Sequence, residues 1–397
     1  MLKQMKKTGV HLAAALVVAA GLAACGGGGG GDPIVSTPGP TAPSGGGGGG
    51  GGVTTPVGQV FEARLAPAVW HSLSSSDNGQ TLVAGEAATG TSTATSFLRV
   101  SKDGGATWTA GTVGGIWIAS DVSADGNHIA AVRYDEGGGI YVSHDGGTTF
   151  TPATGTLGGF NLGDAPFEGI TISADGQRIA ATIQGGPIVV SQNGGTTWAL
   201  GAGAPTTAGW RTIDASSDGS VMVAVAQDPD AYISTDGGAT WAPLSVNVGG
   251  AAVGSQNWYR VKVSGDGNTI AMAGNQFGGA SGNGLYVSRD RGASFTQATT
   301  IAGDYSGIGM SNDGSVIGVT ISNSNAAPTT PVGQVLLSTN GGTSFAPLAV
   351  NTTAGAATDT DWRAITISGD ATKIVVAAGR FLTNLAGQLY VSTGARP

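Results

Sequence analysis

The sequence predicts an all-β fold: a propeller of seven four-stranded antiparallel blades, the last closed by an N-terminal strand. Three observations predict it. An eight-residue turn motif recurs six times, a second Ser-Xaa-Asp-Gly turn interleaves with it, and an aromatic residue stands six positions before each of those second turns. Composition agrees, with 72 Gly in 397 residues and only 11 % charged residues. Outside the N-terminal segment no stretch has the apolar periodicity of a helix.

The N-terminal segment reads as an address. Lys3, Lys6 and Lys7 precede a short apolar run, Val10 to Gly21, and small residues lead to Ala24. The apolar run is too short to span a bilayer comfortably, and residues 1–24 have the pattern of a secretory signal peptide. Leu22-Ala23-Ala24-Cys25 resembles the bacterial lipobox and contains the only cysteine of the chain. The resemblance implies lipidation of Cys25, a membrane partner through that lipid, and a place in the bacterial cell envelope. The absence of Asp after the cysteine favours the outer membrane, on its periplasmic or outer side. Residues 25–56 are then a tether of glycine runs and prolines. Such a chain stays flexible, with an r.m.s. reach of roughly 30 Å.

Residues 57–397 carry the repeats. Ser-Xaa-Asp/Asn-Gly-Gly-Xaa-Thr-Trp/Phe stands at Ser101–Trp108, Ser143–Phe150, Ser191–Trp198 and Ser234–Trp241, and with small changes at Ser288–Phe295 and Ser338–Phe345. The second motif stands at Ser123–Gly126, Ser173–Gly176, Ser216–Gly219, Ser264–Gly267 and Ser311–Gly314, with looser copies at Ser76–Gly79 and Ser368–Ala371. Trp70, Trp117, Phe167, Trp210, Trp258, Tyr305 and Trp362 precede these turns, which makes seven units. Each unit reads as an inner strand from the aromatic, an Asp-Gly turn, a second strand, a third strand ending at the serine of the eight-residue motif, and an outer strand beyond it. Gly supplies the positive φ of such turns, and Asp caps nearby backbone N–H groups. The last unit ends after its third strand, at Leu389–Thr393, and Val60–Leu65 is an unassigned strand-like segment. That segment is expected to supply the missing outer strand, which would remove a loose edge.

The eight-residue motif resembles the Asp-box, or BNR repeat, of sialidases and related propellers. In this setting the Asp-boxes are expected to be structural. A sialidase needs an arginine triad, a Tyr–Glu nucleophile pair and an aromatic-Arg-Ile-Pro segment near the start. Here the nearest segment is Phe61-Glu62-Ala63-Arg64-Leu65-Ala66-Pro67, only four Glu are present, and seven units replace the six of sialidases. Seven-bladed Asp-box propellers resemble photosystem II assembly factors, which are non-catalytic scaffolds, and xyloglucanase-like glycoside hydrolases, which place catalytic Asp residues between two propellers. The resemblance favours a non-catalytic platform for a glycan or protein partner. A carbohydrate-active enzyme is the alternative.

Both turn families are short and share one face of the propeller. The loops of variable length lie on the other, and function on scaffolds concentrates in such loops. The seven aromatics have two readings there, packing between blades or a platform for flat ligands. The position after each aromatic is diverse: His71, Ile118, Glu168, Arg211, Tyr259, Ser306 and Arg363. With Arg260 added, His71, Glu168, Arg211, Tyr259, Arg260 and Arg363 are the candidate ligand-binding residues. The arginines suit an anion, and Asp121 and Asp214 are two further carboxylates in inner strands.

Formal net charge is −8, and −11 without the three lysines at positions 3, 6 and 7. An acidic body of this kind argues against nucleic acid. With four His in the chain, no histidine metal site is expected. No helix follows the glycine runs, so they are not phosphate loops, and no cofactor is expected.

Overall fold

The computed structural model describes residues 60–394, apart from segments 88–95, 136–137, 228–230, 254–255, 275–283, 300, 302, 323–332, 353–354, 358–360 and 381–384. The expected signal peptide, Cys25 and the tether lie outside the described residues, as do Asp359 and most of three of the variable loops. Among the described residues no helix is long and apolar enough to cross a membrane.

Seven four-stranded antiparallel sheets form the blades of the propeller. Their inner strands are Trp70–Ser75, Trp117–Val122, Phe167–Ile172, Trp210–Ala215, Trp258–Val263, Asp304–Met310 and Trp362–Ile367. Each second strand lies between two neighbouring blades, which is why Ile179–Ile183 and Met222–Ala226 are buried at every position and apolar but for Thr182. Most outer strands are short, Thr109–Gly114 and Phe61–Ala68 being the longer ones. Four have two residues, and three of those four end in Pro152, Pro243 or Pro347. A proline at that edge offers no N–H to a passing strand. Beyond the outer strands of the second, fourth and sixth blades the chain forms two-stranded hairpins before it enters the next blade.

The closing strand is where the sequence places it. Phe61–Ala68 is the outer strand of the seventh blade, with Phe61 opposite Ser392 and Arg64 opposite Leu389. Phe61 is fully buried against Trp362, Tyr390 and their neighbours. Pairing is interrupted between Arg64 and Ala68, where Leu65 takes a φ of 63°.

The seven aromatics settle into the core. Their exposure is 0–5 %, so the ligand-platform reading fails and inter-blade packing is what they do. Trp117, Trp210 and Trp258 meet the edge of Tyr141, Tyr232 and Tyr286 on the third strand of the same blade, with centroids 5.2, 5.7 and 5.5 Å apart. The indole N–H of Trp70 donates to the Gly387 carbonyl at 2.9 Å, and that of Trp210 to Gly186 at 3.0 Å. Buried indoles with such partners leave no face for a ligand.

The Asp-boxes are self-contained hydrogen-bond knots. In the box at Ser234 the hydroxyl donates to Asp236 Oδ1 (2.8 Å) and accepts from the N–H of Gly238 (2.9 Å). Asp236 Oδ1 also accepts from the N–H of Thr240 at 2.8 Å. The same three bonds recur at Ser101, Ser143, Ser191, Ser288 and Ser338, with Asn standing for Asp at two of them. Arg291, which replaces the first box glycine, keeps the left-handed backbone at φ 56° and so carries a strain its glycine counterparts avoid.

The inner turns close a second circle, around the axis. The N–H of Asp77 donates to the Ala124 carbonyl, and the chain continues from Ala124 to Ala174, Ser217, Gly265, Asn312 and Gly369, at 2.7–3.1 Å. Asp370 N–H then donates to Asp77 at 2.8 Å and closes the ring. Bulk is excluded here: a Cβ on Gly369 would stand 2.5 Å from Asn312 and 2.6 Å from Asp77.

Candidate functional site

At the opposite end of the channel, every inner strand carries a β-bulge at the residue after its aromatic. The register slips between Trp70 and Ser72, Trp117 and Ala119, Phe167 and Gly169, Trp210 and Thr212, Trp258 and Arg260, Tyr305 and Gly307, and Trp362 and Ala364. A bulge leaves one residue unpaired and re-aims its side chain. The seven bulged residues are those of the diverse column. Two serve the scaffold: Ile118 is buried in the core, and the buried Ser306 hydroxyl donates to the Trp362 carbonyl at 2.8 Å.

The other five form one cluster with Arg260: three arginines surround the Tyr259 ring, His71 joins through Arg363 and Glu168 through Arg211. Tyr259 has the Arg260 guanidinium 4.1 Å from its ring centroid, and those of Arg211 and Arg363 at 6.0 Å each. Arg363 Nη2 donates to the Tyr259 hydroxyl (3.1 Å) and to His71 Nε2 (2.8 Å). Arg260 donates from Nε to the Ser306 carbonyl at 2.7 Å. Arg211 donates to the Gln227 side-chain carbonyl and stands 3.8 Å from Glu168. Gln227 is a member that sequence reading missed. It opens the segment after a second strand, as does Tyr134, whose hydroxyl is pushed up by burial and by Glu168. The column just after the second strands, Ala87, Tyr134, Gln184 and Gln227, is diverse too, and that was the available signal.

Among the described residues three guanidinium groups thus share one carboxylate, and their hydrogen bonds go to neutral acceptors. The buried Nε–H of Arg363 finds no acceptor among the described residues. Charge crowding shows in the protonation states. His71 Nδ1 donates to the Ile118 carbonyl at 2.9 Å, so Nε2 is left to accept from Arg363. Burial, then the charges of Arg363 and Arg260, hold this imidazole neutral, well below its usual range. Burial raises Glu168 to about 7 against the pull of the arginines. Burial would raise Tyr259 as well, but Arg363, Arg260 and Arg211 outweigh it and bring the phenol down to about 8.

Deeper in the channel, Asp121 and Asp214 join blades. Asp121 accepts from the Ile172 N–H of the next blade at 2.9 Å. Asp214 accepts from the Val263 N–H at 2.6 Å and from Lys262 Nζ at 2.7 Å. An inner strand has no partner on its axial side, and these carboxylates satisfy its N–H groups. Asp121, Asp214 and Lys262 also divide two small cavities, of about 110 Å³ towards the mouth and about 90 Å³ towards the axial ring.

The family model for the BNR/Asp-box repeat matches residues 232–243, the fourth of the six boxes. Its residues make the bond pattern shared by all six. The chain is a seven-bladed Asp-box propeller. Among solved structures the propeller is similar to YCF48 bound to D1 peptide, at 13 % identity and a TM-score of 0.55, covering 85 % of this chain and 96 % of that one. It is also similar to a GH74 xyloglucanase from Xanthomonas campestris, at 16 % identity and a TM-score of 0.59, covering 81 % of this chain. The propeller spans about half, 52 %, of that xyloglucanase chain. At such identities the likeness is one of fold. No curated protein matches the sequence.

Proposed function

We propose that the channel mouth of this propeller binds a carboxylate presented by a partner, and that the protein is a non-catalytic binding platform held at the bacterial cell envelope by a lipid on Cys25. The observation that carries the reading is, among the described residues, the set of three guanidinium groups facing one carboxylate, with the buried Arg363 Nε–H lacking an acceptor. Arginine suits planar, bidentate recognition of carboxylates. A structural neighbour, YCF48, is bound to a D1 peptide, which favours a protein segment as the source of the carboxylate. The outer-membrane anchor rests on the lipobox-like Leu22–Cys25 alone.

Short peptides synthesised with free and with amidated C termini, some with internal Asp or Glu, test the reading by calorimetry. Free acids are expected to bind, and binding is expected to fall at least tenfold in Arg363→Gln. Equal binding of fully amidated, acid-free peptides would overturn it. A second reading has a specific support. Glu168 near 7 and Tyr259 near 8 lie in the same arginine cluster, as an enzyme acting on an acidic sugar would require. Turnover of fluorogenic acidic glycosides, abolished in Tyr259→Phe, would establish that reading in place of the first. Radiolabelled palmitate incorporation, lost in Cys25→Ser, tests the anchor.

A further inference from the structure

The inference concerns Glu168 and rests on the mouth being an anion site. Glu168 is the only carboxylate among the bulged residues, yet it is not committed to its neighbour. Its Oε1 is 3.8 Å from Arg211 Nη1, beyond hydrogen-bond reach, while Arg211 donates to Gln227 instead. The side chains of Glu168 and Arg211 are recessed, at 14 % and 23 % exposure. The charged and titratable groups facing Glu168 are Tyr134 from the second blade, Arg211 from the fourth, Tyr259 and Arg260 from the fifth, Arg363 from the seventh and His71 from the first. His71 is neutral, and among the described residues Glu168 is the carboxylate that answers the three cations.

We infer that Glu168 is a built-in competitor for the ligand's charge: in the empty mouth its carboxylate balances the arginines, and an arriving carboxylate takes over that role while Glu168 takes up one proton from solvent. The only bond formed is O–H at Glu168, and nothing is oxidised or reduced. Two carboxylates confined in one recess do not both stay ionised, because each raises the other. Glu168 already stands near 7 in the empty site, so little further push neutralises it. The residue therefore sets specificity. It rejects anions at high pH and admits them as pH falls, and it penalises a dianion more than a monoanion.

The test uses isotope-labelled acetate as the probe, with binding to the whole propeller followed by ligand-observed NMR at pH 5.5 and 8. Wild type is expected to bind about tenfold more tightly at pH 5.5 than at 8, from one coupled proton with a midpoint near 7. Glu168→Gln is expected to bind at both pH values about as tightly as wild type does at pH 5.5. Tyr259→Phe separates the phenol, which titrates near 8, and is expected to keep most of the pH dependence. If Glu168→Gln retains the full dependence, or wild type has none while Arg363→Gln still abolishes binding, the coupling is wrong and the anion site stands. If acetate binds neither wild type nor Glu168→Gln at either pH, the anion site falls and the coupling with it.

Discussion

The two ends of the channel are made by the same seven inner strands, and they are built on opposite rules. At the turn end the same hydrogen bonds repeat from unit to unit. Serine, Asp or Asn, and a glycine-shaped backbone recur at all six boxes, and the axial ring passes through all seven blades. At the mouth the backbone repeats, with one bulge per strand, but the side chains do not: His, Ile, Glu, Arg, Tyr, Ser and Arg follow one another around the circle. Repetition of both backbone and side chain marks what holds the propeller together. A repeated backbone with unlike side chains marks where the scaffold leaves residues free for something else. The two ends also answer pH in opposite directions. The four Asp-box aspartates are held below their usual range by the hydroxyl and N–H groups around them, Asp103 at about 2, so their stabilisation is present above about pH 4 and lost on acidification. Glu168 is raised, so the folded state holds its proton longer than the unfolded chain and stability declines as pH rises from about 4.5 to about 7.

The comparison predicts how each end fails. The largest effect is expected at the closing strand. Removing residues 57–68 exposes the long edge of Leu385–Ser392 and empties the Phe61 site, and the cooperative thermal transition should be lost or broadened. Phe61→Ala alone should cost about 3–5 kcal/mol in denaturant titrations. Next is the mouth, where Arg211→Gln with Arg363→Gln should abolish carboxylate binding and leave the melting temperature within a few degrees, since neither arginine is needed for blade packing. A collapse of stability in that double variant would blur the division between the two ends. Ser234→Ala, at one box, should cost about 1–3 kcal/mol by stranding the Gly238 N–H and loosening Asp236, with no effect on binding. The smallest effect is expected from Glu168→Gln, which should raise the melting temperature at pH 8 and leave it nearly unchanged at pH 4, as scanning calorimetry would show.

Much of this is legible in the sequence. The two turn motifs and the aromatics gave the strand boundaries, and the Trp210–Ala215, Ile179–Ile183 and Trp362–Ile367 strands fall where the motifs put them. The unfinished last unit pointed to the closing strand. The site was legible as a column of unlike residues but not as a cluster. All seven stand at the same bulge, so the backbone does not separate those that serve the mouth from those that serve the scaffold. Ile118 and Ser306 were therefore indistinguishable from Arg211 by position. Asp121 and Asp214 were equally ambiguous, because their partners are backbone N–H groups of the next blade, about 50 residues away in sequence. Gln227 stands in a diverse column of its own, but it matters only through Arg211, to which it is hydrogen-bonded.

The axial ring has a mechanical consequence. A propeller latched only by its peripheral strand would open like a book when that strand lets go. Here the blades are also hooped at the hub, where the Asp370 N–H reaches Asp77 and joins the last blade to the first independently of Phe61–Ala68. A pull on the segment leading into Val60 would load the rim latch first and leave the hub under little tension. The rim could then peel and reseal while the cup around Tyr259 keeps its shape.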